Sequence, residues 1–170
     1  MDQPEIYTAF QGARRIGGGT MEELLPLVRR WAAAHGEAGI LGFSDRTGKQ
    51  IDFDLRGVMA ARTGPGRPKL GVVAREVTLL PRHWEWLQEQ PGGASAALRR
   101  LIDAARRSPE ARGRQAREAA GRFLTALAGD LPGYEEATRA LYGGDAAGFR
   151  ARMEGWPEDV REHALRLAGL

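Results

Sequence analysis

Proline and glycine residues divide the stretch Gly66–Arg107 into short segments, and this division constrains the chain more than any other feature. The stretch opens with a basic arm, and residues 71–80 then form a run of β-branched and apolar residues that favours a strand. Pro81 ends strand pairing and suits the first turn of a helix. That helix is predicted to extend to Gln90, with Trp84 on its buried side.

A second helix is predicted after the turn at Pro91–Gly93. Ser95 is a favourable N-cap residue. The apolar residues behind it recur at helical spacing, and they are Leu98, Leu101, Ile102 and Ala105. One strand and two helices alone leave backbone groups unpaired and an apolar face exposed to solvent. The element is therefore predicted to pair with a second copy of the chain, as a homodimer.

Residues 1–60 are predicted to form a small α+β unit. Two short strands come first, and a helix follows that begins with a capping box of Thr20 and Glu23. In the last β-run apolar residues alternate with charged ones, which indicates a strand with one solvated face; the charged residues are Asp52, Asp54 and Arg56. Glycines 17–19 are interpreted as a turn, and the alternative is a cradle for an anion at the helix start.

Residues 108–170 are predicted to be helical throughout. Ser108 and Pro109 form a helix start, and shorter helices are expected near Tyr134, Asp145 and Trp156. The apolar residues expected in the core of this region are Phe123, Leu127, Tyr134, Leu141, Phe149, Trp156, Val160 and Leu165.

The sequence therefore predicts an α+β protein with four regions. They are an N-terminal α+β unit (1–60), a linker or basic arm (61–68), a strand–helix–helix element (69–107) and a C-terminal helical region (108–170). The Gly-Arg-Pro sequence in the second region has two interpretations. Proline and glycine clusters mark linkers, but an extended arginine arm of this kind also enters the minor groove of DNA.

The composition excludes several classes of protein. The chain has no cysteine, which excludes a disulfide framework, a thiolate nucleophile and a cysteine-ligated metal. No segment approaches the ~18 apolar residues of a membrane span, and the first ten residues lack the pattern of a signal peptide. We expect a cytoplasmic protein without membrane contact.

The charge is concentrated in the middle of the chain. The net charge is +3, but residues 62–122 carry 13 Lys or Arg and 6 Asp or Glu. A basic centre between neutral and acidic ends indicates a surface that faces a polyanion.

We find no set of residues typical of catalysis. The three histidines, His35, His83 and His163, show neither metal-ligand spacing nor a Ser/His/Asp arrangement. Three carboxylates, Asp45, Asp52 and Asp54, could hold a divalent cation, but alternating carboxylates on a strand more often form its solvated side. We therefore expect no enzyme activity, no cofactor and no metal.

Residues 75–107, REVTLLPRHWEWLQEQPGGASAALRRLIDAARR, resemble a ribbon-helix-helix unit. The resemblance implies a dimer whose two paired strands lie in the major groove of DNA. In that family polar residues alternate along the strand and contact bases. Here Arg75 shares a face with apolar Val77 and Leu79, and Glu76 shares the other face with Thr78. Only modest sequence preference is expected.

Most of the chain is also similar to a bacterial family, domain of unknown function 2239. This resemblance is carried by TGKQIDFDLRG, GRPKLGVVAREVTLLPRHWEWL, QPGGASAALRRLIDAAR and GWPEDVREHALRLA. It implies no particular activity.

The leading hypothesis is a non-catalytic, dimeric protein that binds duplex DNA. The residues expected at the nucleic acid are Arg67, Lys69, Arg75, Thr78 and Ser95, of which Ser95 would act through the backbone amides of its helix start. The alternative is a protein-interaction or scaffold module whose basic centre binds an acidic protein partner.

Overall fold

The structure, a computed structural model, describes residues 4–55 and 75–170, and these belong to two compact units. Unit 1 combines residues 4–55 with residues 109–170, and unit 2 contains residues 75–108. The α+β class predicted from the sequence is confirmed.

Unit 1 is built on a four-stranded antiparallel sheet. In chain order its strands are β1 (Tyr7–Gln11), β2 (Arg14–Gly19), β3 (Ile40–Ser44) and β4 (Gln50–Ile51). Their order across the sheet is β2-β1-β3-β4, so β1 and β3 are central. Tyr7 pairs with Ser44 and Gln11 with Ile40.

The described residues contain seven helices. They are α1 (Met21–His35), α2 (Pro81–Gln88), α3 (Gly93–Arg107), α4 (Pro109–Leu127), α5 (Tyr134–Gly143), α6 (Ala146–Arg152) and α7 (Glu158–Ala168). The predicted capping box of α1 is present: the Thr20 hydroxyl accepts from the Glu23 amide, and the Glu23 carboxylate accepts from the Thr20 amide.

Both faces of the sheet are covered, because neighbouring residues of a strand point to opposite sides. Ala9 packs with Leu24 and Val28 of α1 on one side. On the other side Phe10 and Phe43 join the core of the C-terminal helices.

Residues 4–55 and 109–170 fall in two different regions of the predicted organisation, but in the structure they share one hydrophobic core within unit 1. Of the residues expected in the core of the C-terminal region, five are buried: Phe123, Leu141, Phe149, Trp156 and Val160. The other three, Leu127, Tyr134 and Leu165, are partly buried against the same cluster.

The interpretation of glycines 17–19 as a turn is wrong, because they form the second half of β2 and pair with Tyr7–Ala9. Small residues are required there by close packing. A Cβ added at Gly17 would lie 3.1 Å from the Leu27 side chain, and one at Gly18 would lie 3.0 Å from the Thr8 hydroxyl.

The turn between β3 and β4 lies directly against α4. A Cβ added at Gly48 would lie 1.9 Å from the Ala119 carbonyl oxygen, and the φ of Gly48 is +65°. The Arg122 guanidinium also donates to the Thr47 carbonyl at 2.9 Å. The contact therefore joins the two chain segments of unit 1.

The carboxylates of the last β-run face solvent, as the alternating pattern predicts. Asp52 and Asp54 are exposed, whereas Ile51, Phe53 and Leu55 are half-buried. Phe53 and Leu55 pack against the cluster under α1, although the strand itself ends at Ile51.

Candidate functional site

Unit 2 contains the helical hairpin expected after the Leu-Pro step. Leu80 is the N-cap of α2, and Pro81 is its first residue. Leu87 of α2 and Ala97 of α3 are buried, and Trp84 is half-buried. The two predicted helices are present, and Trp84 lies on the inner side of the hairpin as expected.

The predicted strand is not formed over the part that the structure describes. Residues 75–80 are not in a strand, and residues 71–74 lie outside the described ranges. A run of β-branched residues becomes a strand only when another strand supplies its hydrogen bonds. None of β1–β4 pairs with residues 75–80.

The prediction of Ser95 as the helix cap is wrong. The N-cap of α3 is Gly92, whose φ of +82° is left-handed, and the helix begins at Gly93. Two glycines in succession let the chain enter the helix earlier than a serine cap would. Ser95 instead lies in the first turn, where its backbone amide has no acceptor four residues earlier within the helix.

Three of the five residues expected at a nucleic acid are described, and all three are exposed: Arg75, Thr78 and Ser95. Arg75 and Thr78 lie on the segment before α2, and Ser95 lies at the start of α3. Arg67 and Lys69 lie outside the described residues.

Large apolar side chains are exposed in this unit. They are Val77 (54 %), Leu80 (48 %), Trp86 (49 %), Leu101 (48 %) and Ile102 (54 %). The apolar stripe of α3 is thus present as the spacing predicts, but Leu101 and Ile102 on it face solvent. An exposed apolar surface of this kind usually marks an interaction site.

Arginines accompany the apolar residues. Six exposed ones occur in the described part of unit 2, and they are Arg75, Arg82, Arg99, Arg100, Arg106 and Arg107. Four acidic residues of the same part are also exposed, and they are Glu76, Glu85, Glu89 and Asp103. The balance is basic, in keeping with the charge distribution of the sequence.

A second group of polar residues lies inside unit 1. His163 of α7 is 1 % exposed, and its ring lies against the rings of Phe10 and Phe123, with centroid distances of 5.2 and 4.5 Å. Its Nε2 is 3.8 Å from Asp45 Oδ1. Thr8 of β1 is fully buried close by.

Burial shifts the ionisation of this group. It lowers the pKa of His163 to about 3, and the nearby guanidinium groups of Arg166 and Arg15 act in the same direction. Burial raises the pKa of the Asp45 carboxyl, against the effect of the Thr8 hydroxyl and of the same two arginines. A threonine, an aspartate and a histidine therefore meet here, but Thr8 and His163 are closed off from solvent.

The spacing of the histidines in the sequence indicates no role for His163. The signal for its burial is present, however, because Val160 and Leu167 lie three and four residues away on the same stripe of α7 and are buried with it. No pattern in the sequence indicates that His163 contacts Asp45. The other two histidines are exposed: His35 stacks on Trp31 at 4.0 Å, and His83 lies in α2.

Two kinds of feature are absent from the described residues. Within residues 4–55 and 75–170, no group of three or more His, Cys, Asp or Glu side chains could hold a metal ion. Over the same ranges no helix has both the length and the apolar character needed to cross a bilayer.

These features define an α+β protein with an antiparallel sheet and an amphipathic helical hairpin in a separate unit. The chain belongs to the family domain of unknown function 2239, described as an uncharacterised protein conserved in bacteria, whose model matches residues 6–168. The similarity found in the sequence is confirmed. Comparisons with curated proteins and with solved structures gave no match.

Proposed function

We propose that the protein is a non-catalytic, dimeric DNA-binding protein that uses the segment 66–107 to contact the duplex. The observation that carries this proposal is the combination, within unit 2, of five exposed large apolar side chains with six exposed arginines. The apolar residues provide the surface for a second copy of the chain, and the arginines provide the contacts to phosphate. Such a role implies a cytoplasmic location.

The apolar surface supports the dimer. Complete burial of a large apolar side chain contributes about 1.5–3 kcal/mol, so burying the exposed half of Leu101 or Ile102 contributes on the order of 1 kcal/mol. Residues 75–80 also lack a strand partner among β1–β4. The same segment of a second copy could supply both the apolar contacts and the missing backbone hydrogen bonds.

The charge supports the choice of duplex DNA. Arg75 is exposed and directly precedes the hairpin, and Arg67 and Lys69 precede it in the sequence. Basic side chains that neutralise phosphates release counterions, which makes binding strong at low salt and weak at high salt. Because acidic Glu76 and apolar Val77 follow the arginine, we expect phosphate contacts with little base readout.

Association is tested by sedimentation of the full chain over a range of concentrations. We expect a dimer, and we expect Ile102→Asp to shift the dissociation constant upward by tenfold or more, because the substitution would bury a charge in the interface. Leu170→Asp is the matched control, since Leu170 is an exposed apolar residue of unit 1 (44 %). A monomer at tens of micromolar would rule out this dimer.

DNA binding is tested by titration of duplex DNA at two salt concentrations. We expect Arg67→Ala, Lys69→Ala and Arg75→Ala combined to weaken binding by about tenfold or more. The slope of log affinity against log salt should fall by about 2–3, which corresponds to ~0.9 per lost phosphate contact. The variant with Arg112→Ala, Arg114→Ala and Arg139→Ala removes the same charge from exposed sites of unit 1 and should bind as the wild type.

An acidic protein partner is the competing proposal for the same surface. It predicts no duplex binding even at ~50 mM salt, where charge-driven binding to DNA is strong. It also predicts that an acidic protein co-purifies with the wild type and is lost from the Arg75 triple variant. Weakening by the unit 1 triple variant as large as that by the Arg75 variant would refute a specific role for residues 66–107.

A further inference from the structure

The ring of His163 is held by groups from both segments of unit 1. Arg166, one turn further along α7, donates to His163 Nδ1. Because Nδ1 accepts this bond, the neutral ring carries its proton on Nε2. Nε2 faces Asp45 Oδ1 at 3.8 Å, which is too long for a hydrogen bond, and neither atom has another hydrogen-bond partner.

The surroundings do not favour a positive charge on this ring. From β2 the guanidinium of Arg15 acts on the ring, and from α7 itself that of Arg166 does. From β1 comes Phe10 and from α4 Phe123, both uncharged. Among the residues that the structure describes around this ring, Asp45, which follows β3, is the group whose charge would oppose these arginines.

The same region joins α7 to the sheet. The backbone amide of Arg15 in β2 donates to the Asp159 carboxylate of α7 at 2.8 Å. Arg166 Nη2 lies 3.9 Å from Asp45 Oδ2. His163 lies between these two contacts along α7, so a change in its protonation acts directly on the attachment of the helix.

We propose that the neutral ring of His163 fastens α7 to the sheet, and that mild acidification weakens this attachment by favouring the states in which the ring is released to water. A proton added to Nδ1 replaces an acceptor with a donor, so the hydrogen bond from Arg166 is lost. The resulting imidazolium lies beside two guanidinium groups inside the core, and it reaches water only if α7 moves away from the sheet.

The direction of the pH dependence follows from the pKa values. The pKa of His163 is about 3 in the folded chain and ~6.5 in an unfolded one. The unfolded state therefore binds the proton first, and stability is lost as the pH falls below about 6.5. The raised pKa of Asp45 acts in the opposite direction, because the folded chain then takes up a proton on that carboxyl more readily.

The effect of His163 on the pH dependence of folding is measured after the Asp45 carboxylate has been removed. In the full-length Asp45→Asn variant, urea denaturation should show the folding equilibrium constant falling about tenfold between pH 7.5 and pH 5.5. In the double variant Asp45→Asn with His163→Asn this tenfold fall should disappear, because the amide oxygen can accept from Arg166 and does not titrate. The variant with Asp45→Asn, His35→Gln and His83→Gln lacks the two exposed histidines and should retain the fall.

Imidazole NMR of the wild type gives a second measurement that does not depend on the variants folding. The His163 ring should remain neutral, with its proton on Nε2, from pH 7.5 down to pH 5.5. Titration of this ring with a midpoint near 6.5 would overturn the proposal, because Asp45 would then stabilise the imidazolium. A folding constant of Asp45→Asn that does not change between the two pH values would overturn it as well.

Discussion

The two units differ in how they treat their large apolar side chains. In unit 1 the phenylalanines of the sheet and of the C-terminal helices are fully buried in one cluster, including Phe10, Phe43 and Phe123. In the described part of unit 2 only Leu87 and Ala97 are buried apolar residues, and the stripe of α3 faces solvent. The described part of the first unit buries its phenylalanines in its own core, whereas the described part of the second leaves several large apolar side chains exposed.

This difference predicts that stability and association depend on different units of the chain. A closed core resists change because each side chain in it has many neighbours. An exposed apolar stripe contributes to stability only when something binds to it. Substitutions in unit 1 should therefore change the free energy of unfolding, and substitutions in unit 2 should change association.

The largest effect is expected for Phe123→Ala. It should lower the free energy of unfolding by about 3–5 kcal/mol, because it removes a buried ring that contacts Phe10, Phe43 and His163. Urea denaturation measures the change. Ile102→Ala, measured in protein too dilute to associate, should cost less than about 1 kcal/mol, since only part of its side chain is buried. Equal losses of unfolding free energy in the two variants would contradict the difference in packing between the two units.

A smaller effect is expected for Gly48→Ala, which tests how the two segments of unit 1 fit together. The added methyl group would collide with the Ala119 carbonyl, and we expect a cost of about 2–4 kcal/mol. Gly12→Ala is the matched control: its φ of +56° is similar, but nothing lies within 4 Å of the added Cβ. That control should cost about 1–2 kcal/mol, from backbone strain alone. The same thermal shift in both variants would contradict a tight contact at α4.

The smallest effect compares the cap of α1, Thr20, with Ser95, which lies in the first turn of α3. Thr20→Ala should cost about 1 kcal/mol, because it removes the hydroxyl that accepts from the Glu23 amide. Ser95→Ala should change the free energy of unfolding by less than about 0.5 kcal/mol, because α3 begins behind Gly92 and not behind Ser95. Differential scanning calorimetry of the two variants measures both. A loss at Ser95 as large as that at Thr20 would mean that the serine caps α3 after all.

The sequence predicted correctly those features that depend on residues close together in the chain. The capping box at Thr20, the proline start of α2 at Pro81 and the apolar stripe of α3 each depend on residues within one or two turns. The strand predicted over 71–80 depends on a distant partner, and it is not formed over 75–80. The same reason explains glycines 17–19, whose place in β2 is decided by pairing with β1.

The buried group of Thr8, Asp45 and His163 could not be predicted from the sequence, because it also depends on contacts between residues that are distant in the chain. Asp45 and His163 come from opposite ends of unit 1, and so do Arg15 and Asp159, which are 144 residues apart. Of the residues expected at a nucleic acid, the exposure of Arg75 and Thr78 follows from their polarity. Their roles at a duplex remain predictions that the salt titration tests.

The residues of unit 2 lie between the two segments of unit 1 in the sequence, and this order has a consequence for synthesis on the ribosome. The sheet is translated by residue 55, but Phe123, which covers one of its faces, is still to come. At about 5–20 residues per second, the roughly 70 residues in between take on the order of 4 to 14 s. During this interval Phe10 and Phe43 have no C-terminal helices to pack against. We therefore expect the face of the sheet that carries these phenylalanines to stay uncovered until the C-terminal helices have been translated.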